Sequence, residues 1–278
     1  MTRLAAPFVV AVMLAGLLAG CTGSDDPAEP TSPSGSASSP TATPTPAQAV
    51  PRPEQGACYR LTYDEAVAPT TSRKPRGCDR EHTATTFEVG TIDALTDGHL
   101  LAVDSRQVQD GVAAECPRRF EDFVGGTLEE RRLSMLRAVW FTPTVRQSDR
   151  GADWYRCDLI ALARNETLAP LTNKLRGVLG TSEGNTRYGM CGTAEPDAAD
   201  FERVICSGPH SWRAISTFTF DGEKYPGEQK VQDAGESACE EAGRGAAEDA
   251  LNFQWGYEWP TKKQWDDGQT YGLCWAPD

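Results

Sequence analysis

Residues Pro143–Cys157 read PTVRQSDRGADWYRC, and residues Pro260–Cys274 read PTKKQWDDGQTYGLC. Laid over each other without a gap, they match at Pro143/Pro260, Thr144/Thr261, Gln147/Gln264, Asp149/Asp266, Gly151/Gly268 and Cys157/Cys274. An aromatic also faces an aromatic at Trp154/Tyr271. Internal recurrence of this kind marks a structural unit used more than once. Two further matches precede it in the same order. Cys78-Asp-Arg-Glu-His82 parallels Cys206-Ser-Gly-Pro-His210, and Val108-Gln109-Asp110 before Cys116 parallels Val231-Gln232-Asp233 before Cys239.

Working outward, each half carries four cysteines: Cys58, Cys78, Cys116 and Cys157, then Cys191, Cys206, Cys239 and Cys274. The ninth, Cys21, belongs to the N-terminus. There Arg3 is followed by PFVVAVMLAGLLAG, an apolar run too short to span a bilayer comfortably. It ends in Leu18-Ala19-Gly20-Cys21, which resembles the bacterial lipobox. That resemblance implies cleavage before Cys21 and lipidation of its thiol with diacylglycerol, usually with a further amide-linked acyl chain such as palmitate. Two or three chains, at about 0.8 kcal/mol per buried methylene, anchor a protein to a membrane essentially permanently. Residues 21–55 are rich in Ser, Thr, Pro and Ala without apolar periodicity, and are expected to be a disordered tether.

An even number of cysteines per half in an exported chain predicts two disulfides per half. Four cysteines allow three pairings and sequence alone does not choose. The expected pairing joins neighbours in order: Cys58–Cys78, Cys116–Cys157, Cys191–Cys206 and Cys239–Cys274. Each bridge is expected to contribute about 3 kcal/mol by closing its loop. The formal charge of −13 and pI near 4.8 argue against nucleic acid and anionic headgroups as partners.

Periodicity predicts strands at Ala84–Ile92, Leu136–Thr142, Trp154–Leu162, Ala214–Phe220 and Phe253–Trp259, and helices at Ser105–Phe123 and Gln229–Ala250. The fold class is α+β: two tandem, disulfide-stapled modules, each an antiparallel sheet with one principal helix. The expected boundaries are 1–20 for the signal peptide, 21–55 for the tether, 56–165 and 188–278 for the repeats, and 166–187 for a connector. The connector's LAPLTNKLRGVL is read either as a short amphipathic helix or as the completion of the first half's core.

Cys206-Ser-Gly-Pro-His210, a helical cysteine, then Trp259-Pro260, Trp265, Gly268 and Cys274 together resemble the actinobacterial septum-formation domain. The first half is similar but more divergent: it keeps Cys78 and His82, lacks the proline before the histidine, and has Trp140-Phe-Thr-Pro143 in place of Trp-Pro. The resemblance implies an extracytoplasmic envelope module linked to septum formation and carries over no catalytic residues.

His82 and His210, four residues after a cysteine, invite a metal. Disulfide pairing competes for the same cysteines, so both are expected to hold the turn through backbone hydrogen bonds, with no metal and no cofactor. Phe253, Trp255, Tyr257 and Trp259 alternate along one predicted strand face. The simpler reading makes them core. The sharper one makes Trp255, Trp259, Trp265 and Trp275 a partly exposed platform for glycan or protein. No nucleophile elbow, zinc-protease helix or phosphate loop is present. The resulting expectation is a non-enzymatic lipoprotein on the outer face of the membrane, anchored through Cys21, binding an envelope protein or cell-wall glycan. The alternative is a cell-wall polymer hydrolase with an unrecognised carboxylate pair.

Overall fold

The computed structural model describes residues 50–278; the signal, Cys21 and the tether up to residue 49 lie outside the described residues. Strand β1 (Cys58–Tyr59) leads into helix α1 (Tyr63–Val67), where Thr62 and Glu65 form a reciprocal capping box. Strand β2 (Ala84–Thr91) follows, then a hairpin of β3 (Leu95–Thr96) and β4 (His99–Leu100) that turns through Asp97-Gly98 at positive φ. Helix α2 (Arg106–Val124) carries Cys116, and α3 (Leu128–Arg132) turns the chain into β5 (Leu136–Phe141). After α4 (Val145–Ser148) come β6 (Trp154–Arg164) and β7 (Thr167–Ala169). Helix α5 (Ser182–Tyr188) leads to β8 (Met190–Gly192), β9 (Arg203–Ile205), β10 (Trp212–Thr219), α6 (Glu228–Ala246), β11 (Gly256–Glu258), α7 (Lys262–Asp266) and β12 (Tyr271–Pro277).

The recurring stretch is a helix start, a left-handed turn and a closing strand. Thr144 caps α4, accepting from the Gln147 N–H at 3.3 Å while Gln147 Oε1 accepts from the Thr144 N–H at 2.9 Å. Thr261 and Gln264 do the same for α7, at 3.2 and 2.8 Å. Gly151 and Gly268 then take φ of 86° and 99°, a region that favours glycine. Cys157 and Cys274 lie on the strands that follow and bond to Cys116 of α2 and Cys239 of α6. The other bridges are Cys58–Cys78 and Cys191–Cys206, so all four pairs join neighbours in order.

The two sheets have the same antiparallel order: β5-β6-β2-β1 and β11-β12-β10-β8. Strand β9 extends the second past β8, and an isolated bridge from Arg76 to Cys58 stands in the corresponding place of the first. Even the irregularity is shared. The first ladder slips between Thr86↔Asp158 and Glu88↔Cys157, the second between Ala214↔Trp275 and Ser216↔Cys274.

The halves do not close separate cores. Val112, Cys116, Leu159 and Ala161 of the first half lie in one buried cluster with Met190, Ile205, Trp212, Leu273 and Trp275 of the second. Leu171, Leu175, Val178 and Leu179 of the connector fill the same cluster, so this stretch completes the core rather than forming an amphipathic helix. The described residues, 50–278, accordingly form a single unit. A second cluster of Tyr59, Leu61, Ala66, Phe141 and Ile160 lies around the α1 segment.

Two elements are shorter than their composition predicts. Helix α6 stops at Ala246, and β11 has three residues where a run from Phe253 to Trp259 was expected. Tyr257 explains Gly235, one of the three glycines inside α6: a Cβ there, or at Gly272 of β12, would overlap its ring. The phenol donates to the Val231 carbonyl at 2.8 Å, and burial pushes its pKa up.

Candidate functional site

The two Cys-x-x-x-His corners have one geometry. His82 Nδ1 lies 2.9 Å from the Arg80 carbonyl, and His210 Nδ1 lies 2.7 Å from the Gly208 carbonyl. A carbonyl only accepts, so Nδ1 carries the proton in both. At the other ring nitrogen the corners differ. His210 Nε2 lies 2.9 Å from Asp278 Oδ2, which also accepts from Arg213 Nε at 2.8 Å. The Arg213 hydrogen bond, aided by His210 and opposed by burial, holds the Asp278 carboxyl below the ordinary carboxylate range. His82 is 2 % exposed, and among the described residues nothing bonds its Nε2. By the strand register, the first-half position equivalent to Asp278 is Ala161, and the equivalent of Arg213 is Thr85.

Beside His82 lies a cleft of about 510 Å³. It opens between the Cys58–Cys78 bridge, the last turn of α2 and the connector after β7. Phe87 and Leu175 form its buried side, and Thr172, Asn173 and Arg176 its more exposed side. The Arg176 guanidinium sits 4.7 Å over the Phe123 ring, which holds a cation at the entrance. The volume falls within the range of small-molecule sites. Arg176 and Leu175 escape a reading of sequence because the connector has no counterpart in the second half, and Phe123 because only the fold brings the last turn of α2 against that connector. The Ala161/Asp278 difference, by contrast, is visible once the halves are aligned.

The tryptophans divide. Trp275 is 0 % exposed, edge-on to Phe201, and cannot meet a ligand. Trp265 is 5 % exposed, packs on Phe220 and Tyr225, and donates its indole N–H to the Glu223 carbonyl at 3.1 Å. Neither belongs to an exposed platform, because a helix start and a central strand turn both rings inward. Trp255 and Trp259 are half-buried against the Cys239, Tyr257 and Cys274 cluster, Trp255 beside Gly243 and Trp259 beside Tyr257.

Among the described residues, Cys191, His210 and Asp278 bring possible metal-donor atoms within 4.8 Å of one another. The Cys191 sulfur is bonded to Cys206, however, so it offers no thiolate and the set does not fit zinc. The hydrogen bonds of His82 and His210 reach backbone or carboxylate, not a serine or free thiol that either could activate. No helix among the described residues is long and apolar enough to cross a membrane.

The model of the family described as "Septum formation" matches residues 132–274, a little over half of the chain. The chain belongs to the septum-formation family. No curated protein and no solved structure matches it. The septum-formation match opens in α3 and runs through β5, β6, the connector and nearly all of the second half. It therefore crosses between the halves, as the buried cluster does. Membership of the septum-formation family points to a role associated with cell division, and the family is not a known enzyme family.

Proposed function

We propose that this septum-formation protein is a lipoprotein of the cell envelope, anchored through Cys21 on the outer face of the membrane. It works at the division site by binding an envelope protein or cell-wall glycan rather than by catalysis. The observation that carries this reading is the oxidised state of every cysteine beyond Cys21, four ordered pairs in a chain of this family. Such pairing belongs to compartments outside the cytoplasm. The shared strand order, ladder slip and histidine turn support descent of the two halves from one duplicated unit. The second copy has since fused its core with the first.

The test is localisation with capture. A full-length tagged chain is expected to concentrate at division septa and, after cross-linking in intact envelopes, to retain an envelope protein or cell-wall fragment. A Cys21→Ala chain is expected to leave the membrane fraction. Uniform distribution with nothing retained, or cleavage of purified cell-wall polymer by the chain, would overturn the proposal.

A further inference from the structure

The structure assigns to the cleft beside His82 a ligand carrying a carboxylate next to an apolar group. The second half shows what this corner does with its free imidazole nitrogen: it places an aspartate carboxylate between His210 and Arg213. In the first half the carboxylate is missing, since Ala161 stands in its place, and Thr85 stands in place of the arginine. The imidazole remains, buried and without a partner at Nε2. A cation remains too, because Arg176 reaches the cleft from the connector. A buried polar atom without a partner is disfavoured, and a ligand that supplies the partner gains that difference on binding. The first half thus keeps the imidazole of that corner, lacks both its carboxylate and its arginine, and has a cleft beside it to which Arg176 brings a cation. Phe87, Phe123 and Leu175 supply apolar walls for the group that the carboxylate is attached to.

The chemistry sets a proton count. His82 Nδ1 spends its hydrogen on the Arg80 carbonyl, and a neutral imidazole has only one. A carboxylate at Nε2 accepts a hydrogen bond, so the bound state needs a hydrogen on both ring nitrogens. Among the residues lining the cleft Arg176 is the other charged group; Gln55, Thr85, Thr86, Thr172 and Asn173 are neutral.

This inference rests on the reading of the protein as a binding module, and its test is independent of septal capture. The full chain in detergent micelles, labelled at histidine nitrogens and leucine methyls, is titrated with 3-phenylpropionate. Separate titrations use the neutral 3-phenylpropionamide and inorganic phosphate. Saturable shifts at His82 Nε2 and the Leu175 methyls are expected with the carboxylate alone. His210 Nε2, already facing Asp278, should stay still as an internal control. Arg176→Gln, at an exposed position, should leave the fold intact and weaken binding about tenfold or more, as loss of a charge-assisted hydrogen bond does. No shift at His82, equal shifts with the amide or with phosphate, or an Arg176→Gln chain that binds as well, would each overturn the assignment. Septal capture could survive any of them, since its failure would instead reflect on the division role.

Discussion

The buried pair of Arg156 and Asp158 gives the sharpest prediction about stability. Both side chains are almost wholly enclosed, at 4 % and 0 % exposed, with Nη2 and Oδ2 2.9 Å apart. Neither of those atoms makes a well-directed hydrogen bond, so the contact is held by charge more than by geometry. The Thr86 hydroxyl donates to Asp158 Oδ1 at 2.7 Å, and the guanidinium lies between the Tyr59 and Phe141 rings at 3.9 and 4.6 Å. Burial lifts the Asp158 carboxyl above its ordinary range, against the opposing pull of Arg156. A raised folded value means that any stability from the protonated acid is present at low pH and lost as pH rises through that value. Where the pair is ionised it is therefore a weak contributor.

The second half shows the apolar alternative, with Ala214, Leu273 and Trp275 where the first has Thr86, Arg156 and Asp158. Asp158→Ala alone strands the guanidinium and the hydroxyl, and should cost about 3–5 kcal/mol. The triple change Thr86→Ala, Arg156→Leu and Asp158→Leu removes every polar partner together and should be neutral or stabilising by about 1–4 kcal/mol. Urea unfolding without reductant at pH 7 measures both. A single variant costing less than about 1 kcal/mol, or a triple variant as unstable as the single, would show that this pair is not held as its burial implies.

Three further outcomes follow from particular contacts. Removing Cys116–Cys157 as a pair of alanines should cost about 4 kcal/mol and removing Cys191–Cys206 about 3, because their cysteines lie 41 and 15 residues apart, read by differential unfolding under non-reducing conditions. Gly235→Ala should lower the unfolding temperature despite its gain in helix propensity, as overpacking against Tyr257 at about 1–3 kcal/mol exceeds that gain; an unchanged or raised temperature would mean that the ring moves freely. Asp278→Asn should flatten the acid limb of the stability curve. Its depressed carboxyl contributes above the ordinary carboxylate value and loses that contribution as pH falls through the folded one. An acid limb identical to the parent would remove Asp278 from the corner.

Much of the fold was legible because covalent and local signals coincide. The strand from Ala84 and the helices around Cys116 and Cys239 follow from short-range pattern, and the neighbour pairing of cysteines, one of three that the sequence allows in each half, is the one the structure has. Short-range pattern also gives the repeat that opens at Pro143, whose Thr-x-x-Gln is a capping box in both copies. What stayed hidden depends on packing between distant segments. Leu175 and Leu179 look like one face of a helix, and only the merged core shows that they fill it. Trp265 and Trp275 look like surplus aromatics until α7 and β12 turn them inward. The cleft beside His82 needs Phe123, Arg176 and the Cys58–Cys78 corner brought together, and no local pattern encodes that meeting.

An oxidised, lipid-anchored envelope protein is tested most directly by the intact mass of material purified from its own membranes, taken before and after reduction and followed by peptide mapping. The expected result is a chain that begins at a diacylglyceryl-modified Cys21 and carries four ordered disulfides within 58–274. An unmodified Cys21, free thiols among the other eight cysteines, or a bridge joining one half to the other would contradict it.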